Sequence, residues 1–133
     1  MESLLIEKTE FTPEINLNTN GTFIISGISR PEDVSKFYEK PIDWLKKFKE
    51  IILLNASNKY KIPLISIIFK MKYFNSASAK HMLKMVEIIS GYQVAGVDIK
   101  VEWYYDEADE QLYEDGQDLS DAIGLPFKFI AIK

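Results

Sequence analysis

The sequence predicts a single α/β domain over residues 1–133, built on a mixed, mostly parallel sheet in the order ββαβαβαβ. Three observations carry this. An Asn20-Gly21 step separates two alternating stretches, the strongest short-range cue for an antiparallel hairpin. Beyond it, β-rich runs alternate with segments of helical periodicity, the pattern of parallel strands joined by crossover helices. The run IPLISIIF, residues 62–69, is almost continuously apolar. A strand buried on both faces reads this way, which predicts helices on both sides of the sheet.

Each element has its own reason. Residues 12–17 (TPEINL) alternate as a strand, and 22–27 (TFIISG) form the returning one. Ser29-Arg30-Pro31-Glu32-Asp33 reads as a helix entry, with Ser29 able to cap and acids in the first turn. Pro41 reads as a second start, since a first-turn proline loses no helical hydrogen bond. From there Ile42, Leu45, Phe48 and Ile52 recur at helical spacing, widened by Trp44 and Ile51, so the helix is expected to run to about Ala56. After the 62–69 strand, a helix over 77–90 buries Met82, Leu83, Val86 and Ile89 and is stopped by Gly91. Residues 96–104 alternate Val97, Ile99, Val101 and Trp103 on one face. A third helix covers about 107–121 and is polar except for Leu112, Tyr113 and Leu119. Gly124-Leu125-Pro126 breaks it, and FKFIAI at 127–132 is the last strand.

The composition is that of a soluble globule, 47% apolar and 27% charged. There is no cysteine, which removes disulfides, thiolate metal sites and thiol nucleophiles together and fits a reducing compartment. MESLLIEKTE has neither a basic start nor a long apolar stretch, and no run approaches the roughly 20 apolar residues of a membrane span. A cytoplasmic protein without membrane insertion is expected, in which the sequons at Asn20 and Asn55 are chance matches. The charge is segregated. Six lysines and no acid lie between Lys59 and Lys84, whereas eight acids and no base lie between Asp106 and Asp121. With a pI near 5.1, nucleic acid is not the expected partner. The acidic helix reads either as a solvated face or as a second docking surface.

Common catalytic signatures are absent. Neither GxGxxG nor GxxxxGK[ST] occurs, so no standard phosphate-cradling loop is encoded, and no HExxH occurs. A single histidine, His81, cannot build a multi-histidine metal centre, and the acids around Gly116 do not follow the EF-hand spacing. No cofactor and no metal are expected. A hydrolase would have to work from Ser78 and His81, which are i and i+3 on one helix, without a nucleophile elbow.

The stretch Tyr73-Phe74-Asn75-Ser76-Ala77-Ser78 remains, where a strand gives way to a helix. Asn75 or Ser76 can cap this helix. Yet no Glu or Gln completes a capping box, and the first two turns carry Lys80, His81 and Lys84 with no acid. Cations near the positive end of a helix dipole cost a few tenths of a kcal/mol each. This start suits an anion better than it suits the bare chain, and a phosphate on Ser76 would supply one. Tyr73 and Phe74 are partner anchors if exposed and core if buried. A small anion- or nucleotide-binding domain using the same helix start is the alternative.

The chain resembles the SiaC family of bacterial regulatory phosphoproteins, formerly known as a domain of unknown function. The resemblance rests on Thr12-Pro13, on Gly27-Ile28-Ser29-Arg30-Pro31-Glu32-Asp33, and on Phe37-Tyr38 with Trp44. It continues through Tyr73 to Lys80, Trp103-Tyr104-Tyr105-Asp106, Asp109-Glu110, Glu114-Asp115-Gly116 and Pro126-Phe127. It implies a STAS-like fold of the anti-sigma-factor-antagonist type and a non-enzymatic regulator. It further implies phosphorylation by a partner-switching kinase, release by a protein-phosphatase-2C-type phosphatase, and binding of a diguanylate cyclase by the unmodified form, in cyclic-di-GMP signalling and biofilm regulation. The family's acceptor follows the Asn of its Tyr-x-Asn motif and maps to Ser76, with Ser78 the competing hydroxyl. Tyr73, Phe74, Asn75, Lys80 and Lys84 are the expected partner-binding residues.

Overall fold

The structure is a computed structural model that describes residues 1–54 and 64–133. Three strands, β1 (Leu4–Ile6), β2 (Glu14–Leu17) and β3 (Thr22–Ser29), lead into helix α1 (Val34–Leu54). Strand β4 (Leu64–Phe74), helix α2 (Ser76–Ser90) with a 3-10 continuation at Gly91–Ala95, strand β5 (Asp98–Asp106), helix α3 (Glu110–Ile123) and strand β6 (Phe127–Ile132) follow. The six strands form one sheet in sequence order. β1, β2 and β3 pair antiparallel, and β3 through β6 pair parallel. The expected order is therefore present with one strand more, β1, a three-residue edge strand too short to announce itself by alternation. The 55–57 sequon, the helix end at Ala56 and the first residues of the 62–69 run lie outside the described residues.

The prediction of helices on both faces is overturned. Parallel strands added in one direction through right-handed crossovers carry every helix to the same side. Accordingly α1 packs on α2 and α2 on α3. Burial in β4 alternates. Ile65, Ile67, Phe69 and Met71 are buried, while Ser66 and Ile68 are half-buried and Lys70 and Lys72 exposed. The apolar run is continuous in sequence because Ile68 sits on the open face opposite Ile24 of β3. Such cross-strand pairs shield one another, so isoleucine is tolerated on a solvated face.

Three boundaries move for local reasons. α1 is capped by Asp33, whose Oδ1 accepts the Lys36 amide at 3.1 Å, and Ser29 belongs to β3 instead. Pro41 lies within α1 rather than starting a new helix. α2 ends at Ser90 as expected, and Gly91, in a right-handed conformation, leads into the 3-10 turn that continues to Ala95. α3 starts later than expected, where Asp109 accepts the Leu112 amide at 3.0 Å.

Trp103 centres one half of the core. It is fully buried among Phe69, Phe74 and Phe127, with ring centroids 5.2 to 6.1 Å away. Its indole N–H donates to the Leu112 carbonyl of α3 at 3.1 Å, so the one polar atom of the ring is satisfied. The ring can lie this close because residue 116 is glycine. A Cβ there would come within 2.6 Å of the indole. We predict that Gly116→Ala destabilises the domain by about 1–3 kcal/mol or more, because neither the helix backbone nor the buried ring can yield cheaply. Urea unfolding would show it, and an unchanged midpoint would contradict this account of how α3 docks.

Candidate functional site

The junction of β4 and α2 is shaped by one irregularity in the sheet. Gly27 pairs with Met71 but Ile28 pairs with Tyr73, so Lys72 is an extra residue without a partner in β3. The bulge resets the alternation. Tyr73 points out, 50% exposed, and Phe74 points in, 9% exposed and edge-on to Trp103. Gly27 opposite adopts a φ of +110°, a conformation that side-chain-bearing residues rarely take. Of the two expected anchors, then, Tyr73 is available at the surface, and Phe74 is a core residue.

Asn75 is the N-cap of α2. Its Oδ1 accepts the Ser78 amide at 2.8 Å, and its carbonyl accepts the Ala79 amide at 2.9 Å. Ser76 is therefore the first helical residue and is exposed. No helical carbonyl precedes the amides of Ser76 and Ala77, so they belong to the donors that a helix N-terminus leaves over.

Ser78 is placed differently. It is fully buried, and its hydroxyl donates to the Ser29 carbonyl at 3.0 Å while accepting from the Ser29 hydroxyl at 2.8 Å. The Ser29 hydroxyl also meets the Tyr38 hydroxyl at 2.7 Å. The donor sequence consistent with these contacts runs Tyr38 to Ser29 to Ser78 and back to the Ser29 carbonyl. That carbonyl also accepts the Asn75 amide at 3.1 Å. Burial pushes the Tyr38 phenol up to about 12, opposed in part by its hydroxyl neighbours Ser29 and Ser78. The Ser78–His81 pairing that a hydrolase needs is not formed. His81 Nδ1 lies 2.9 Å from the Ala77 carbonyl and its ring stacks on Tyr38.

The surface around Ser76 is not the lysine field that its sequence neighbours imply. A shallow depression of about 390 Å³ is lined by Tyr73, Phe74, Asn75, Ser76, Ala79, Gln111 and Asp115. α3 thus brings an acid and an amide to the depression at Ser76, and Gln111 Nε2 donates to Asp115 Oδ1 at 2.8 Å. Lys80 and Lys84 are exposed further along α2, with Lys80 lining a second depression between α2 and α3. No local sequence signal marks Gln111 and Asp115 as site residues. Their i, i+4 spacing beside the Leu112–Gly116–Leu119 stripe places them on one side of α3, but only the packing of α3 against α2 brings them to Ser76. Among the described residues no cluster of three or more histidines and acids could hold a metal ion, and no helix is long and apolar enough to cross a membrane.

Tyr38→Phe removes the outer member of the hydroxyl chain and is expected to cost about 1 kcal/mol. It should also change the alkaline limb. Below about pH 10 the phenol is protonated in the folded and unfolded states alike and its contribution is complete. Above that, only the unfolded chain releases the proton until the folded value near 12 is reached, so stability falls as pH rises. Melting temperatures measured from about pH 9 to about pH 11 should fall less steeply for Tyr38→Phe than for the wild type, and equal slopes would contradict the burial argument.

Comparisons with known proteins place this geometry in a family. The family model described as SiaC family regulatory phosphoprotein matches residues 6–132. An uncharacterized protein of Pseudomonas aeruginosa (strain UCBPP-PA14) is 24% identical over 128 residues, covering 96% of this chain and 94% of that protein. Among solved structures, apo-SiaC from Pseudomonas aeruginosa superposes with a TM-score of 0.76 at 21% identity, over 100% of both chains. A chain of the complex of diguanylate cyclase SiaD with its activator SiaC, from the same organism, gives 0.81 at 22% identity over 97% of this chain and 99% of that one. At these identities the structural likeness is one of fold, while the family match spans almost every residue. The chain belongs to the SiaC family of regulatory phosphoproteins.

Proposed function

We propose that this chain is a non-enzymatic partner-switching regulator whose state is set by phosphorylation of Ser76. Unmodified, it binds a cognate kinase and a diguanylate cyclase; a protein-phosphatase-2C-type phosphatase restores that form. In this reading it works in the cytoplasm, in cyclic-di-GMP signalling that governs biofilm formation, in the manner of STAS-type anti-sigma-factor antagonists. The cyclase follows by family from SiaC, which is described as the activator of diguanylate cyclase SiaD.

The observation that carries the proposal is the contrast between the two hydroxyls. Ser76 is exposed at the first position of α2, while Ser78 is fully buried and fully hydrogen-bonded. Phosphorylating Ser78 would first require extracting its hydroxyl, leaving Ser29 partly unsatisfied at about 1–3 kcal/mol, and would then bring nearly two charges into a buried site. Burying an unpaired charge costs far more than a lost hydrogen bond. At Ser76 the same group stays in solvent beside the leftover amides of the helix start, which favour it by about 0.3–1 kcal/mol. Phosphate can thus come and go there without unfolding the domain.

Incubation with the cognate kinase and ATP should add one phosphate to a peptide containing Ser76. Ser76→Ala should remove the signal and Ser78→Ala should keep it. Label remaining in this segment of Ser76→Ala would refute the assignment. Ser76→Asp should weaken cyclase binding by about tenfold or more, and unchanged affinity would refute the switch.

A further inference from the structure

We propose that the groove between α2 and α3 seats an amphipathic segment of the partner protein, with basic side chains toward α3 and acidic ones toward α2. The depression at Ser76 and the one beside it share Phe74, Ala79 and Asp115, so they form one trough, about 390 and 250 Å³ in its two parts. Its floor is apolar, made by Phe74, Ala79, Leu83 and Leu119. Its walls differ in sign. Asp115 and Asp118 rise from α3, and Lys80 rises from α2. The contrast extends past the trough. Residues 106–121 hold eight acids and no base, whereas α2 from Ser76 to Val86 holds Lys80 and Lys84 and no acid.

This polarity selects the occupant. An apolar ridge filling the floor excludes water from the rims, where charges then interact more strongly than in open solvent. A wholly basic segment would meet Lys80, and a wholly acidic one would meet Asp115 and Asp118. Like charges juxtaposed in an interface cost several kcal/mol, so only a segment with oppositely charged flanks satisfies both walls.

Ser76 stands at one end of the trough, on the α2 side, in the same depression as Asp115. A phosphate there adds nearly two negative charges and reverses the sign of the α2 wall at that end. The partner's acidic flank is then repelled while the fold is untouched. The inference rests on Ser76 being the switch and specifies how the switch acts.

The test measures binding of the purified diguanylate cyclase from the same genome to the wild type, Ser76→Asp, Asp118→Lys, Lys80→Glu and Lys100→Glu. Asp118 and Lys80 are exposed groove residues, so circular dichroism should show folded variants, and Lys100 on the open sheet face is the control. Asp118→Lys and Lys80→Glu should each weaken binding by about tenfold, with Lys100→Glu within about twofold of the wild type. If Ser76→Asp abolishes binding while both groove variants bind as the wild type does, the groove is refuted and the switch stands. If Lys100→Glu weakens binding as much as the groove variants do, the surface is wrongly placed. If the wild-type chain does not bind the cyclase, the switch fails and the groove with it.

Discussion

The carbonyl and hydroxyl of Ser29 hold the first turn of α2, and the character of the site follows from that attachment. Ser29 ends β3, a strand in the middle of the sheet. Its carbonyl receives both the Asn75 amide and the Ser78 hydroxyl, and its own hydroxyl lies between Tyr38 and Ser78. A buried chain of this kind is useful only when every member is satisfied, and no orphaned buried side-chain polar atom is found among the described residues. Asn75, Ser78 and the end of β3 therefore move as one body. Ser76, between two fixed neighbours, is left facing solvent.

The opposite wall of the site depends on a different economy of space. α3 carries few apolar residues, and it is held by Trp103 lying against Gly116 with its N–H on the Leu112 carbonyl. This seats the acidic helix against α2 and brings Gln111 and Asp115 to the depression at Ser76. A helix so rich in acid gains little by docking through its charges. It docks through a missing side chain, and its acids remain for the surface. The electrostatics at Ser76 is consequently a product of tertiary packing as much as of its neighbours in the chain.

Much of this was legible in the sequence, and the remainder has identifiable causes. The hairpin, the alternation of strand and helix, and the junction at Asn75–Ser76 are local patterns, with periods of 2 or 3.6 and caps within three residues. They fall within a few residues of the observed bounds. The one-sidedness of the sheet is hidden because Ile24 and Ile68 pair across strands on the open face, which makes an apolar run look doubly buried. Ser29 has the signature of a helix cap, a serine before acids, whereas Asp33 takes the role and Ser29 is drawn into the core by partners 9 and 49 residues away. Phe74 and Tyr73 could not be told apart because an unpaired Lys72 shifts the phase just before them. The sheet face, the Ser29 network and the phase of Tyr73 and Phe74 are set by contacts distant in sequence, which no local period encodes.

That unpaired lysine fixes more than one side chain. Helix residues turn by about 100° each, so the angular position of everything in α2 is inherited from where β4 ends. Strict alternation through Lys72, with no bulge, would turn Tyr73 toward Trp103 and Phe74 toward water, and would swing the helix start so that Ser76 and Ser78 no longer divide into outer and inner. The bulge therefore acts as an indexing pin. Substitutions along β4 can be absorbed by repacking, and loss of Lys72 would only erase the bulge, but pairing Lys72 into the ladder would alter which hydroxyl the protein offers to the outside.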